Sequence, residues 1–179
     1  MKMRRMDRLV SDRARIGRII ADSAVCRVAV KDEEGLYIVP LSFGYVYEGD
    51  SLTLYFHSAK EGRKIRAVGS GCEAAFEMDS MSRVTEGPIP CNYSCLYSSI
   101  TGTGRASMVD DIEEKKLALS LITEHTAGRR FKFSDAQSDS VAIIKLSANT
   151  FSAKEKAQGV KTLKPHPRAR CARSSARAR

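Results

Sequence analysis

The stretch that most limits what this chain can fold into is Leu52-Thr53-Leu54-Tyr55-Phe56, followed at once by His57-Ser58-Ala59-Lys60-Glu61-Gly62-Arg63-Lys64. The first five residues are apolar, β-branched and aromatic, the composition of a buried strand. Residues 60–68 read as a short helix with Ile65 and Val68 on one side. The junction sets one imidazole, one hydroxyl, one turn glycine and three cations close together in sequence. A strand that ends in a hydroxyl and opens a helix offers unpaired backbone N–H groups and the positive end of the helix dipole. Lys60, Arg63 and Lys64 add full charges, and an arginine can grip two oxygens at once. These are the requirements of a phosphate monoester site. A solvated basic turn is the alternative that the same residues allow.

The rest of the chain supplies strands around this one. Ser11 or Asp12 can cap a helix carrying Ile16, Ile19 and Ile20 on one face. Residues 25–30 read as a strand, 31–35 as a hairpin turn and 36–47 as a second strand. Pro40 lies inside that second strand and demands an edge, a bulge or an opening, because proline cannot donate to a ladder. Residues 72–78 read as a strand and 80–95 as a long loop, rigid at Gly87-Pro88-Ile89-Pro90. A strand over 96–109 carries Gly102 and Gly104, which permit a sharp bend. Asp110-Asp111 caps a helix over 112–125, with Leu117, Ala118, Leu121 and Ile122 expected inward, and His125 expected to pack or to meet the helix dipole. Residues 127–139 read as loop and 141–148 as the last strand. Six mostly antiparallel strands with few helices predict a mainly β small barrel or sandwich. Gly102-Thr103-Gly104 sits inside a strand and opens no helix, so it does not mark a dinucleotide-binding turn.

Composition places the chemistry in the body and the charge in the tail. With 179 residues, 42% hydrophobic and 28% charged, the chain fits one domain with a proper core. No apolar run approaches the roughly 20 residues of a membrane span, and no apolar signal core follows the basic N-terminus, so a cytoplasmic protein is expected. The five cysteines are odd in number and irregularly spaced, as expected of free thiols. Cys91 and Cys95 form one pair without a second pair or a nearby histidine, so no metal site is expected. Of the net charge of +9, the residues from Ser152 onward carry +8. Residues 1–156 read as the folded domain and 157–179 as a disordered, basic, low-complexity tail. That tail has no aromatic residue for stacking bases, so non-specific attraction or no role is expected of it rather than specific nucleic-acid binding.

Four segments in order carry a resemblance: Cys26-Arg27-Val28-Ala29, then Tyr37 to Tyr45 through Val39-Pro40-Leu41-Ser42, then Leu54 to Lys64, then Tyr97 to Ala106. Over about residues 4–154 the chain resembles the pyridoxamine 5'-phosphate oxidase-like flavoproteins, specifically their nitroimidazole-resistance (Nim-type) branch. The Phe56-His57-Ser58-Ala59-Lys60-Glu61-Gly62 run is the most specific part. The resemblance implies a six-stranded antiparallel split β-barrel with a few flanking helices, binding FMN as a homodimer with flavin at the subunit interface. It implies that Ser58, Lys60, Gly62, Arg63 and Lys64 form the phosphate site. Val39, Pro40, Leu41 and Ser42 would flank the flavin ring, and His57 would lie near its reactive face as the catalytic candidate. The implied activity passes electrons from a reduced nicotinamide cofactor to a small oxidised substrate such as a nitroaromatic. A flavin-binding module without turnover, or a nucleic-acid-associated protein acting through the tail, are the rival functions. A pyridoxamine phosphate oxidase proper would need a second phosphate site, and the body has no other cation cluster as dense in sequence.

Overall fold

The computed structural model describes residues 5–156; the expected tail, 157–179, lies outside them. In chain order the elements are β1 (Leu9–Val10), α1 (Arg13–Asp22), β2 (Cys26–Asp32), β3 (Gly35–Leu41), β4 (Gly44–Glu48), β5 (Ser51–Ser58), α2 (Arg63–Val68), β6 (Cys72–Thr85), β7 (Ser94–Met108), α3 (Ile112–Ala127), α4 (Asp135–Asp139) and β8 (Ala142–Lys156). The strands form one antiparallel sheet in the order β3-β2-β6-β7-β8-β5-β4, with β1 added to β8.

That order forces a barrel. β3 and β4 are the two ends of the hydrogen-bonded path, yet only Ser42 and Phe43 separate them in sequence. Three chain steps span at most about 11 Å. Seven strands laid flat at about 4.8 Å spacing would hold the same edges about 29 Å apart. The sheet therefore curls until its edges nearly meet, and no ladder closes the seam between them. This is the expected split barrel, with two differences in strand count. The run 36–47 is two strands rather than one, because the chain changes edges at Ser42-Phe43. β1 is an added short strand. Pro40 lies on β3, an edge strand of the sheet, the kind of position in which a residue without an N–H is tolerated.

The crossing is held from three sides. Phe43 is fully buried. Its carbonyl oxygen lies 2.8 Å from His125 Nδ1, and the two rings pack at a 55° tilt with their centroids 4.3 Å apart. Gly44 lets α3 rest directly on the chain: a Cβ there would lie 2.5 Å from the Ile122 nitrogen and 2.6 Å from the Leu121 carbonyl carbon. His125 is thus a packing residue at the end of α3, as expected, and its Nε2 also reaches the Ala21 carbonyl at 3.3 Å.

Two cores share β5. Leu52, Leu54 and Phe56 point into the barrel with Ile16, Ile19 and Ile20 of α1, while Tyr55 faces out beneath Ala118, Leu119 and Ile122 of α3. Burial on both faces explains why this run is continuously apolar instead of alternating. Within α3, Leu117 is 45% exposed and Leu119 is buried, which corrects the expected inward face by one position. The expected loop over 80–95 is shorter: its two ends, 80–85 and 94–95, belong to the hairpin arm of β6 and β7, and 86–93 connect them with a 3-10 turn at Pro90–Asn92. Here cross-strand pairing extends well beyond the alternating segment. The glycines of β7 serve close approach as well as bending: a Cβ on Gly102 would lie 2.5 Å from Phe76 Cζ, and the pairing with β8 shifts register between Thr103 and Gly104.

Gly44→Ala is expected to lower stability by about 2–3 kcal/mol, because rigid backbone must move to admit the methyl group. Gly17→Ala in α1, whose added Cβ meets nothing closer than Tyr47 at 3.7 Å, should be neutral or stabilising by up to about 1 kcal/mol. Urea unfolding of the two variants checks the contrast; equal effects would mean that α3 does not rest on the crossing.

Candidate functional site

The chemistry-bearing stretch begins where β5 leaves the sheet. Ser58 pairs with Ala142 and His57 with Ile143 at the start of β8. Ser58 is 8% exposed, while His57 and the turn Ala59–Gly62 are exposed. Gly62 has φ +120°, a conformation open to glycine and strained for other residues. It starts α2 without a side-chain cap, and the helix runs only from Arg63 to Val68. The helix expected from residue 60 therefore begins three residues later, because the turn needs Gly62 in that conformation.

The three cations end up in different environments. Arg63 forks onto Asp32, with Nε 2.7 Å from Oδ2 and Nη2 2.9 Å from Oδ1. Glu34 stands 3.6 Å from the same guanidinium, and the Tyr37 ring lies beneath it at 4.7 Å. Lys60 leans the other way, to Asp139 at the end of α4, at 3.4 Å. Lys64 is half-buried and makes no ion pair or hydrogen bond to a side chain among the described residues. Its ammonium is pushed down in pKa by burial. Asp32 is held below the usual carboxylate range chiefly by its hydrogen bonds from Arg63.

The other expected residues lie on β3. Val39 and Leu41 are half-buried, while Pro40 and Ser42 are exposed. Tyr37, two residues before Val39, carries the Arg63 guanidinium on its face, so β3 and α2 are linked through that contact. The outward row of β3 leaves Leu36 86% and Ile38 64% exposed. Ile38 continues across the sheet into Ala29 and Ala75, a shallow strip of small and apolar side chains.

Two groupings were not legible from spacing. Glu114, in the first turn of α3, accepts from Tyr55 Oη at 2.9 Å and from Lys145 Nζ at 2.7 Å. Lys145 holds Glu114 low, and burial beside Glu114 pushes Tyr55 up to about 12. Tyr55 and Lys145 are cross-strand partners, two rows from His57, so only strand register could have joined them. The second grouping is a hollow of about 380 Å³ near the far end of β8, lined by Arg15, Arg83, Lys156, Asp22, Glu155 and Tyr97. It gathers cations from α1, β6 and β8 that are far apart in sequence, but Arg15 is already forked onto Glu155. Cys91 is exposed and Cys95 half-buried, both free. Among the described residues no group of three His, Cys, Asp or Glu could hold a metal ion, and no helix is long and apolar enough to cross a membrane.

The sequence pattern of the family described as pyridoxamine 5'-phosphate oxidase matches residues 12–155. A solved protein from Bacteroides thetaiotaomicron VPI-5482, named as a candidate 5-nitroimidazole antibiotic resistance protein, is 31% identical with a TM-score of 0.67, over 82% of this chain and 86% of its own. The FAD and heme binding protein from Mycobacterium smegmatis is 18% identical with a TM-score of 0.69, over 87% of this chain and 77% of its own. A flavocytochrome from Azotobacter vinelandii is 16% identical with a TM-score of 0.70, over 99% of this chain and 92% of its own. The last two likenesses are of fold. No curated protein matches the chain.

The Asp32–Arg63 pair gives a pH dependence of definite sign. A carboxylate held low when folded contributes stability above its unfolded pKa and loses it as pH falls through the folded value. Asp32→Asn should therefore melt below the unmodified protein at neutral pH, with the gap closing as pH drops below roughly 4. Calorimetric melting across that range checks it; a gap that stays constant would show that the carboxylate charge of Asp32 contributes nothing.

Proposed function

Because this chain belongs to the pyridoxamine 5'-phosphate oxidase family, we propose that it is an FMN-dependent oxidoreductase, passing electrons from a reduced nicotinamide cofactor to a small oxidised substrate such as a nitroaromatic. The observation that carries this reading is the end of β5. There a buried serine, an exposed histidine and a half-buried lysine with no carboxylate partner among the described residues share one stretch, which Arg63 ties to Tyr37 of β3. The fit to a flavin phosphate is physical. A partly desolvated lysine without a carboxylate partner among the described residues favours an anionic ligand, and a phosphate dianion would supply the opposite charge. Ser58, Lys60, Gly62, Arg63 and Lys64 make the turn that would hold the phosphate. The edge strand at Val39, Pro40 and Leu41, with Ser42 just after it, would lie along the ring, on the side of β3 that no other strand pairs with among the described residues. FMN, when bound, supplies the two-electron redox chemistry; the protein supplies position and charge.

His57 takes the substrate side. It is exposed, it sits next to Ser58 on a strand fixed by two cores, and its ring nitrogens can donate or accept a hydrogen bond. The nitroaromatic substrate is supported by the 31% identity to the Bacteroides protein over most of both chains. A homodimer is part of the reading: Leu36 and Ile38 are largely exposed on β3, and a second copy on this strip would cover them. A flavin-binding module without turnover differs only in kinetics.

Purified protein is expected to be yellow, with flavin bands that bleach on adding NADH or NADPH and recover on adding a nitroaromatic. Bleaching absent with either donor would leave the storage module standing. His57→Ala should keep its flavin and slow reoxidation by the nitroaromatic about 10²-fold, the usual loss when one proton-transfer group is removed; unchanged reoxidation would remove His57 from the mechanism. Light scattering should return about twice the chain mass of 19.7 kDa, and a monomer that retains flavin would exclude the shared site.

A further inference from the structure

We propose that the open end of the barrel, between α1 and the far ends of β6, β7 and β8, is a binding site for a small hydroxylated anion, a hydroxy acid or a sugar phosphate. The site stands apart from the turn after β5. Ser58 pairs with Ala142 at the first residue of β8, whereas Glu155 and Lys156 at the strand's other end wall the hollow. It is independent of the flavin reading.

Most cations here lack counter-charges. Arg15 is forked onto Glu155, and that pair is complete. Arg83 and Lys156 line the same hollow of about 380 Å³ and form no ion pair among the described residues. Arg8 stands beside it, donating to the Tyr97 hydroxyl at 3.1 Å and lying over that ring at 5.9 Å. It lines an adjoining hollow that shares Glu155 and Lys156. Residues 1–4 and 157–179 contain no Asp or Glu, so neither segment can bring a carboxylate side chain to these cations. Asp22, at the end of α1, is the one other carboxylate on the lining among the described residues. Arg8, Arg15, Arg83 and Lys156 thus outweigh Asp22 and Glu155, and the excess positive charge favours an anion from solution.

An irregularity in the sheet delivers Arg83 to this place. The pairing of β6 with β7 slips between Met81 and Arg83: Met81 faces Tyr97 and Arg83 faces Leu96, with Ser82 left over. In a regular ladder, alternation would put Arg83 on the face opposite Ser80. The extra residue turns it onto the side of Ser80, Ser98 and Leu96. Hydroxyls complete the lining. Ser80 Oγ and Ser98 Oγ lie 2.9 Å apart, and neither has another hydrogen-bond partner among the described residues. Two hydroxyls carry two protons, and the bond between them uses one. A donor is left over on a pair whose Ser98 is only 8% exposed. Unpaired cations beside a spare hydroxyl donor suit a ligand that carries an anionic group and further oxygen atoms. The volume is at the small end of ligand sites, which run from roughly 300 to 1,000 Å³.

Calorimetric titration of the full chain with citrate and with ribose 5-phosphate tests the site; ribose is the uncharged control and inorganic phosphate the bare anion. At least one of the first two should bind, and the tighter one tells whether the ligand is an acid or a phosphate ester. Ribose should not bind detectably. Arg83→Gln and Lys156→Gln should each weaken the binding by roughly 10-fold, as expected for one lost charge-assisted contact, at an unchanged melting temperature. Arg130→Gln removes an exposed cation paired with Glu124 on α3 and should change the affinity by less than about 2-fold. If neither citrate nor ribose 5-phosphate binds, the proposal falls. If one binds but Arg83→Gln leaves its affinity unchanged, the anion sits elsewhere, the turn after β5 included, and the proposal falls as well. Inorganic phosphate binding as tightly as the better of the two would remove the hydroxyl contacts and overturn the ligand class. None of these outcomes depends on whether the protein holds a flavin.

Discussion

Two residues carry the chain from one edge of its sheet to the other, and the rest of the molecule depends on that crossing. Ser42 and Phe43 join strands that are hydrogen-bonded neighbours of nothing in common, so the sheet has to curl. Phe43 anchors the crossing in the core, His125 holds its carbonyl, and Gly44 lets the backbone of α3 lie on it without a side chain between. The sulfur-free, tightly packed contact between Gly44 and α3 fixes the helix over Tyr55, and Tyr55 with Lys145 then fixes Glu114 at the helix start. A helix with little apolar asymmetry of its own is thereby placed by backbone contact at one end and by a charge network at the other.

The same closure gives the candidate site its place where β5 ends. A strand buried on both faces is among the most rigid parts of a small barrel, and the residue that follows its last inward side chain inherits that rigidity. His57 and Ser58 occupy those positions. The turn beyond them is held by side chains of other elements: Asp32 from the β2–β3 hairpin on one side and Asp139 from α4 on the other. The cations of the turn thus act partly as ties that orient it.

Much of this could be read in the sequence, and the misses have physical causes. A cap at Ser11 or Asp12, an edge, bulge or opening at Pro40, the hairpin at Lys31–Gly35 and the strand before His57 were legible because each is a local signal: a cap, a missing donor, a turn, a run of strand formers; the fold then selects Asp12 and the edge. The split of 36–47 was not, because residues on both sides of the crossing are apolar and only closure demands the break. The β6–β7 arm was not, because its outer part carries exposed Met81 and Val84 and so lacks the alternation that marks a half-buried strand. At the site, spacing showed the cations together but could not show their partners. Asp32 lies 31 residues from Arg63 and Asp139 lies 79 from Lys60, and pairing at that distance is a property of the fold.

The free edge links the proposed cofactor to the proposed dimer. β4, the other edge, lies under α3, whereas the outward side of β3 exposes Leu36 and Ile38. An exposed, apolar edge strand invites pairing and aggregation unless something covers it. Pro40 on that strand blunts pairing with another strand without making the surface polar. A flat aromatic ring is suited to such an edge: it can lie against apolar side chains and accept or donate a few bonds to backbone without needing a continuous ladder. A second copy can cover the adjoining strip of Ile38, Ala29 and Ala75, which is too low to fill by itself. On the proposed reading, cofactor and partner meet on one strand, and a single feature of the fold, an edge left open by the crossing at Ser42-Phe43, makes room for both.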